Sequence, residues 1–220
     1  MTIRVNGVEL DYETLGEGRP LLMVHGNGQE HSIFNEAAQV LKDRFTCYLI
    51  DSRGHGQSSP VKEYHYDDMA QDMIELMEQL DLQNVAFYGF SDGGIIGLLA
   101  ASRCSRITDL IVSGANTDPN TVRTWLWLII RINYLLKKDP LMALMLREPH
   151  IPDEELKKIS ARTLVLAGSK DVIKEKETRH IAAAVPGAEL RILEGEGHGS
   201  YIEHQEKIGR ILRGFLLKEE

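Results

Sequence analysis

The chain has almost no cysteine: two in 220 residues, Cys47 and Cys104, with no C-x-x-C pair. A disulfide framework, a zinc ribbon and a dithiol redox motif are thereby excluded. Both thiols sit in apolar runs and are expected to be buried small hydrophobes in a reducing compartment. Long hydrophobic runs are missing too. The longest, Trp125–Ile130, stops at Arg131, far short of the roughly 20 apolar residues that a bilayer demands. The opening, MTIRVNGVELDYETLG, has neither an apolar h-region nor a small-residue cleavage site, so no secretory signal is expected and the expected location is cytoplasmic. Positive charge is scarce: 25 Lys and Arg against 33 Asp and Glu leave a net charge of −8. That balance gives no electrostatic reason to bind nucleic acid or an anionic membrane, and neither is expected as a partner. No repeat, low-complexity tract or interdomain linker is visible.

What is present suits one globular domain. Hydrophobic residues make up 43% and charged residues 26%, and the length suffices to bury a substantial core. Two short strands, Ile3–Val5 and Glu9–Thr14, flank the turn signal Asn6-Gly7. Unbroken apolar runs follow at Pro20–Val24, Cys47–Ile50, Val85–Tyr88, Ile107–Val112, Thr163–Ala167 and Leu190–Leu193, as strands buried on both faces require. Between them lie helical stretches at Ser32–Leu41, Asp67–Leu80, Gly93–Arg103, Lys174–Val185 and Glu203–Leu217. Strand and helix alternating over short connections predict an α/β fold, a doubly wound and mostly parallel sheet. One segment, residues 117–159, breaks the alternation after the sixth strand. It reads as helices rich in apolar side chains and is expected to be a short helical lid, with residues 1–116 and 160–220 as the core. Its Trp125, Trp127, Met142 and Met145 are expected to line a pocket over the carboxyl ends of the strands, where open α/β sheets bind ligands.

Gly89-Phe90-Ser91-Asp92-Gly93 lies directly after the apolar run NVAFY and directly before the helical run GIIGLLAA. A serine on so tight a strand-to-helix turn needs small neighbours, and its hydroxyl projects at the positive end of the following helix. A glycine-rich turn in this place can instead cradle a phosphate. Neither G-x-x-x-x-G-K-[ST] nor G-x-G-x-x-G is there, however, and the nucleophile reading is preferred.

Four further motifs accompany this one, in order: His25-Gly-Asn-Gly28, Asp51-Ser-Arg-Gly-His-Gly-Gln-Ser58, Leu166-Ala-Gly-Ser-Lys-Asp171 and Gly197-His-Gly199. With all five the chain resembles the α/β-hydrolase fold family, in its small, lid-bearing bacterial esterase-like branch, over nearly its whole length. The resemblance implies Ser91 as nucleophile, His198 as general base and Asp171 as the acid that holds the imidazole, in the order Ser, Asp, His. It also implies an oxyanion hole formed by the backbone N–H groups of Asn27 and Asp92. The types fit the chemistry. A serine hydroxyl is a poor nucleophile until a base takes its proton, and imidazole, with a pKa near 6.5, suits that task.

Asp118, after the strand that precedes the lid, is the second candidate for the acid. His25 and His55 are read as loop-shaping, Asp51 and Arg53 as a loop-fixing pair, and His31, His65, His150, His180 and His204 as ordinary surface or helix residues. No histidine–carboxylate spacing suggests a metal site, and neither metal nor cofactor is expected. The expected reaction is hydrolysis of a small-to-medium, partly hydrophobic ester as small-molecule substrate. Lactone, C–C bond or perhydrolase chemistry on the same triad stays open, as does a non-catalytic small-ligand receptor. Monomer and homodimer are both compatible with the sequence.

Overall fold

The structure, a computed structural model, describes residues 1–217. Asn6 and Gly7 both take positive φ, 41° and 80°, the backbone of a two-residue type I′ hairpin turn. They join β1 (Thr2–Val5) to β2 (Val8–Leu15) with Val5 opposite Val8. The chain continues through β3 (Arg19–Val24), α1 (Asn35–Leu41), β4 (Phe45–Ile50), α2 (Tyr66–Gln79), β5 (Val85–Phe90), α3 (Asp92–Arg103) and β6 (Ile107–Ser113). After β6 come α4 (Thr124–Lys137), α5 (Pro140–Arg147) and the short α6 (Asp153–Leu156). The main alternation then resumes with β7 (Arg162–Gly168), α7 (Glu175–Ala184), β8 (Glu189–Leu193) and α8 (Glu206–Leu216).

The eight strands form one sheet in the order β1-β2-β4-β3-β5-β6-β7-β8. The β1–β2 and β2–β4 pairs are antiparallel and all later pairs are parallel. Every residue of β5 is buried, as are the last four of β3 and the last six of β7. These strands carry helices on both sides, so no polar alternation survives in their sequence. One apolar layer packs α2, α3 and α7 against one face of the sheet. The other packs α1 and α8 against the opposite face, where Ile208, Leu212, Phe215 and Leu216 of α8 recur at helical spacing.

This topology fixes where a site can form. From β3 the chain moves outward to β4, then crosses back to place β5 on the other side of β3 and moves outward again. The order therefore reverses between β3 and β5, and the crevice above their carboxyl ends is the ligand position of such sheets. The loops that leave β3, β5, β6, β7 and β8 all emerge at that rim. Among the described residues, no helix is long and apolar enough to cross a membrane.

Candidate active site

Ser91 stands on the turn between β5 and α3 with φ 53° and ψ −116°, a strained left-handed-side backbone for a residue with a side chain. Its amide donates to the Ser113 carbonyl at 2.8 Å, and its own carbonyl accepts from Gly94 and Ile95 at 2.9 and 3.1 Å. These bonds hold the strain in place. The flanking glycines are obligatory for a separate reason: a Cβ at Gly89 would collide with the Gly93 carbonyl, and one at Gly93 with the Val24 carbonyl.

Three side chains from three loops meet here. His198 Nε2 lies 3.0 Å from Ser91 Oγ, and His198 Nδ1 lies 2.7 Å from Asp171 Oδ1. The same carboxylate oxygen accepts the Ile173 amide at 2.9 Å, which fixes the acid after β7. Asp171 is buried and His198 is about one-quarter exposed, so the pair is sheltered yet reachable. Accepting on Oδ1 assigns the proton to Nδ1 and leaves Nε2 free to accept from the serine hydroxyl. Asp118 has no part in this chain: Oδ1 takes the Asn120 amide at 2.8 Å and Oδ2 faces His150 at 3.5 Å.

The loop after β3 lies directly against the serine, since a Cβ on Gly26 would stand 3.0 Å from Ser91 Cβ. Gln29 braces that loop, its Oε1 accepting the Gly26 amide at 3.0 Å and its Nε2 donating to Glu203 at 2.9 Å. Among the described residues, the amides of Asn27 and Asp92 donate to no protein acceptor. The Asp92 side chain is buried and receives the Asn27 side-chain amide at 3.0 Å. Burial pushes its carboxyl above the ordinary range, against the opposing hydrogen bonds from Asn27 and the Tyr66 hydroxyl.

The motif histidines shape loops. His25 accepts the Ser52 amide on Nε2 at 3.1 Å, and His55 accepts the Gly28 amide on Nε2 at 3.1 Å. Asp51 and Arg53 fix loops as well, but not as a pair. Arg53 makes a two-bond contact with buried Asp72 on α2, at 2.7 and 2.6 Å. Asp51 instead takes the amides of His31 and Gln57, each at 2.8 Å. Burial alone would raise the Asp51 carboxyl; those bonds hold it below its ordinary value. His31 is consequently not a surface residue: its side chain is largely buried, and its ring Nδ1 lies 2.8 Å from Asp51. Asp11, His31 and Asp51 gather ligand-type atoms within 4.8 Å of one another, a cluster invisible to spacing because its members come from three separate segments.

Above the serine opens a cavity of about 510 Å³. Met142 and Met145 line it; Trp125 and Trp127 do not. The reason is helical geometry. Leu126, Ile130, Asn133 and Lys137 of α4 share the face toward the cavity, and Trp125 and Trp127 flank Leu126 at about 100° to either side. Trp125 is 54% exposed, and the Trp127 ring lies 5.2 Å beneath the Arg131 guanidinium.

Two contributors to the site escaped the sequence. The Phe90 ring packs 4.9 Å from the His198 ring. Gly114, at the end of β6 with φ 61°, lies under His198, and a Cβ there would come 2.7 Å from the ring's Cε1. A Ser-Gly pair closing a buried strand at the functional rim was the available signal for the latter.

The family model for the alpha/beta hydrolase fold matches residues 19–135. The chain is 28% identical to serine hydrolase BPHL of Mus musculus, across 97% of this chain and 85% of that protein. It is also 28% identical to the AB hydrolase superfamily protein YisY of Bacillus subtilis (strain 168), across 94% and 95%. Among solved structures, a bromoperoxidase from Bacillus anthracis superposes with a TM-score of 0.86 at 21% identity, covering 99% of both chains. The esterase EaEST from Exiguobacterium antarcticum superposes with a TM-score of 0.85 at 24% identity, also covering 99% of both.

Proposed function

The chain belongs to the α/β-hydrolase fold family, and from that premise we propose that it is a serine hydrolase cleaving small-to-medium, partly hydrophobic carboxylic esters. The observation that carries this reading is the unbroken chain of hydrogen bonds from Ser91 through His198 to Asp171. The serine hydrolase name of the Mus musculus relative points the same way.

The steps follow from the geometry. Ser91 Oγ attacks the ester carbonyl as its proton passes to His198 Nε2, and Asp171 stabilises the imidazolium across the Nδ1–H bond. The tetrahedral oxyanion accepts from the free amides of Asn27 and Asp92, at the amino end of α3 where negative charge is favoured. The imidazolium then gives its proton to the departing alcohol, leaving an acyl-enzyme on Ser91. Water attacks that acyl group with His198 again as base, and the carboxylic acid leaves.

The cavity supports the substrate class. Leu126, Ile130, Met142 and Met145 offer an apolar wall, with Ser91 and His198 at the polar end. Asp92, Asp139, Glu148 and Glu203 also line it against the single lysine Lys137, so a neutral ester is favoured over one bearing a free carboxylate. In this reading residues 117–159 are the lid, and Met142 and Met145 are its substrate contacts.

Hydrolysis of p-nitrophenyl acetate by the parent and by Ser91→Ala tests the proposal, alongside labelling by a fluorophosphonate. Loss of about 10⁴-fold or more in kcat and loss of labelling are expected. Parental turnover in Ser91→Ala removes the assignment, and a parent that neither turns over nor labels makes the fold a ligand receptor here.

A further inference from the structure

α4 carries more apolar surface than its packing uses. Leu126 and Ile130 face the cavity, whereas Trp125, Leu128, Ile132, Leu135 and Leu136 stand on another side, between 48% and 78% exposed. Their spacing of three, four, three and one places them on one face. Scattered exposed aliphatics are ordinary, but five on one face of a 14-residue helix form a patch that calls for an occupant.

The charge around the patch is of one sign. From residue 119 to residue 138 the sequence holds Arg123, Arg131, Lys137 and Lys138 and no Asp or Glu, within a chain of net charge −8. Among the described residues, none of these four forms an ion pair with a carboxylate. Arg131 lies over the Trp127 ring at 5.2 Å and Lys138 over the Tyr134 ring at 5.1 Å. Cations and amphipathic aromatics thus run together along one flank of the apolar face, the composition of a helix that lies in a membrane interface.

We propose that the outer face of α4 docks on an anionic lipid surface, with the helix in the membrane plane. Trp125, Leu128, Ile132, Leu135 and Leu136 would enter the boundary between headgroups and acyl chains, with Arg131 and Lys138 beside lipid phosphates. At about 21 Å the helix is too short to span. A second copy of the chain fits the face less well. A stable interface takes about 20 residues a side, and a two-fold contact through this patch would oppose two sets of uncompensated cations. The net charge argued against an anionic membrane, but net charge averages the whole surface. Beyond about 10 Å exposed charges are screened, so the local basic flank governs contact. The inference stands independently of the chemistry at Ser91.

The test uses the full chain and unilamellar vesicles of phosphatidylcholine alone or mixed with phosphatidylglycerol, read by co-sedimentation. Trp127→Phe leaves Trp125 as the single tryptophan, whose emission should shift to the blue on phosphatidylglycerol vesicles. Leu128→Glu with Leu136→Glu should weaken vesicle binding tenfold or more. Arg131→Gln with Lys138→Gln should weaken it about 25-fold on the anionic vesicles only, about fivefold per cation. None of these four residues lines the cavity, so melting temperature and turnover of a soluble ester should stay parental. The proposal is overturned if the parent ignores anionic vesicles or if the variants bind like the parent. It is equally overturned if the parent is a vesicle-independent dimer that Leu128→Glu with Leu136→Glu dissolves, which would assign the face to a second copy.

Discussion

Gly114→Ala is the sharpest probe of how the site is held. The glycine sits at φ 61°, and an added Cβ would lie 2.7 Å from Cε1 and 2.8 Å from Nδ1 of His198. Ordinary carbon contacts begin near 3.5 Å, so the ring must retreat by roughly 0.8 Å. It has no slack for that. The ring is held between Ser91 at 3.0 Å and Asp171 at 2.7 Å, and a retreat of that size breaks the geometry of at least one bond. Misplacement of a reacting group by about 1 Å costs on the order of 10²-fold in rate. The left-handed backbone adds roughly 1 kcal/mol of strain, a few degrees of melting temperature in a domain of this size. Gly187 separates the two effects: its φ is 69° and nothing lies within 4 Å of a Cβ there. Ester hydrolysis and thermal melts of the two variants should therefore diverge, with Gly187→Ala losing stability alone and Gly114→Ala losing stability and about 10² in kcat/KM. A Gly114→Ala protein with parental kcat/KM, or a Gly187→Ala protein equally inactive, would refute the reasoning.

Three other outcomes follow from named contacts. Burial lowers the His25 pKa to about 4, and the neutral ring donates from Nδ1 to the Gly26 carbonyl while accepting the Ser52 amide on Nε2. Between pH 6.5 and about 4 the unfolded chain binds a proton that the folded chain refuses, so stability falls as acid is added, by up to about 1.4 kcal/mol per pH unit. Urea melts across that window should show a steeper acid loss in the parent than in His25→Asn; parallel losses would count against the assignment. Asp72→Ala strands the buried Arg53 guanidinium and should cost about 3 kcal/mol in urea unfolding, an effect that an unchanged midpoint would contradict. Asp171→Asn keeps the shape of the acid but inverts the hydrogen bond to Nδ1, and should lower kcat about 10⁴-fold with little change in melting temperature; a loss under tenfold would make Asp171 structural only.

The catalytic side chains were legible because each marks the end of a strand. A run buried on both faces reads as unbroken apolar sequence, and whatever follows it emerges at the carboxyl rim, so Ser91, Asp171 and His198 could be placed together before any coordinates. The limits of the elements were less so. Gly89 and Phe90 belong to β5 itself, and a 3-10 turn over His31–Phe34 precedes α1, because neither a glycine nor a change of helical pitch alters an apolar pattern. The strand order was not legible at all, since pairing β3 with both β4 and β5 joins segments far apart in sequence. The Arg53 contact failed for the same reason, its partner arriving from α2. The two tryptophans failed for another. Apolar residues surround α4 on nearly every side, and a helix without a polar stripe gives periodicity nothing to orient. Chemistry that depends on strand ends is thus written locally, whereas specificity depends on which face of α4 turns inward. The face left outside by that choice is the one bearing Trp125, so the error about the pocket and the inference about the lipid surface have one physical cause.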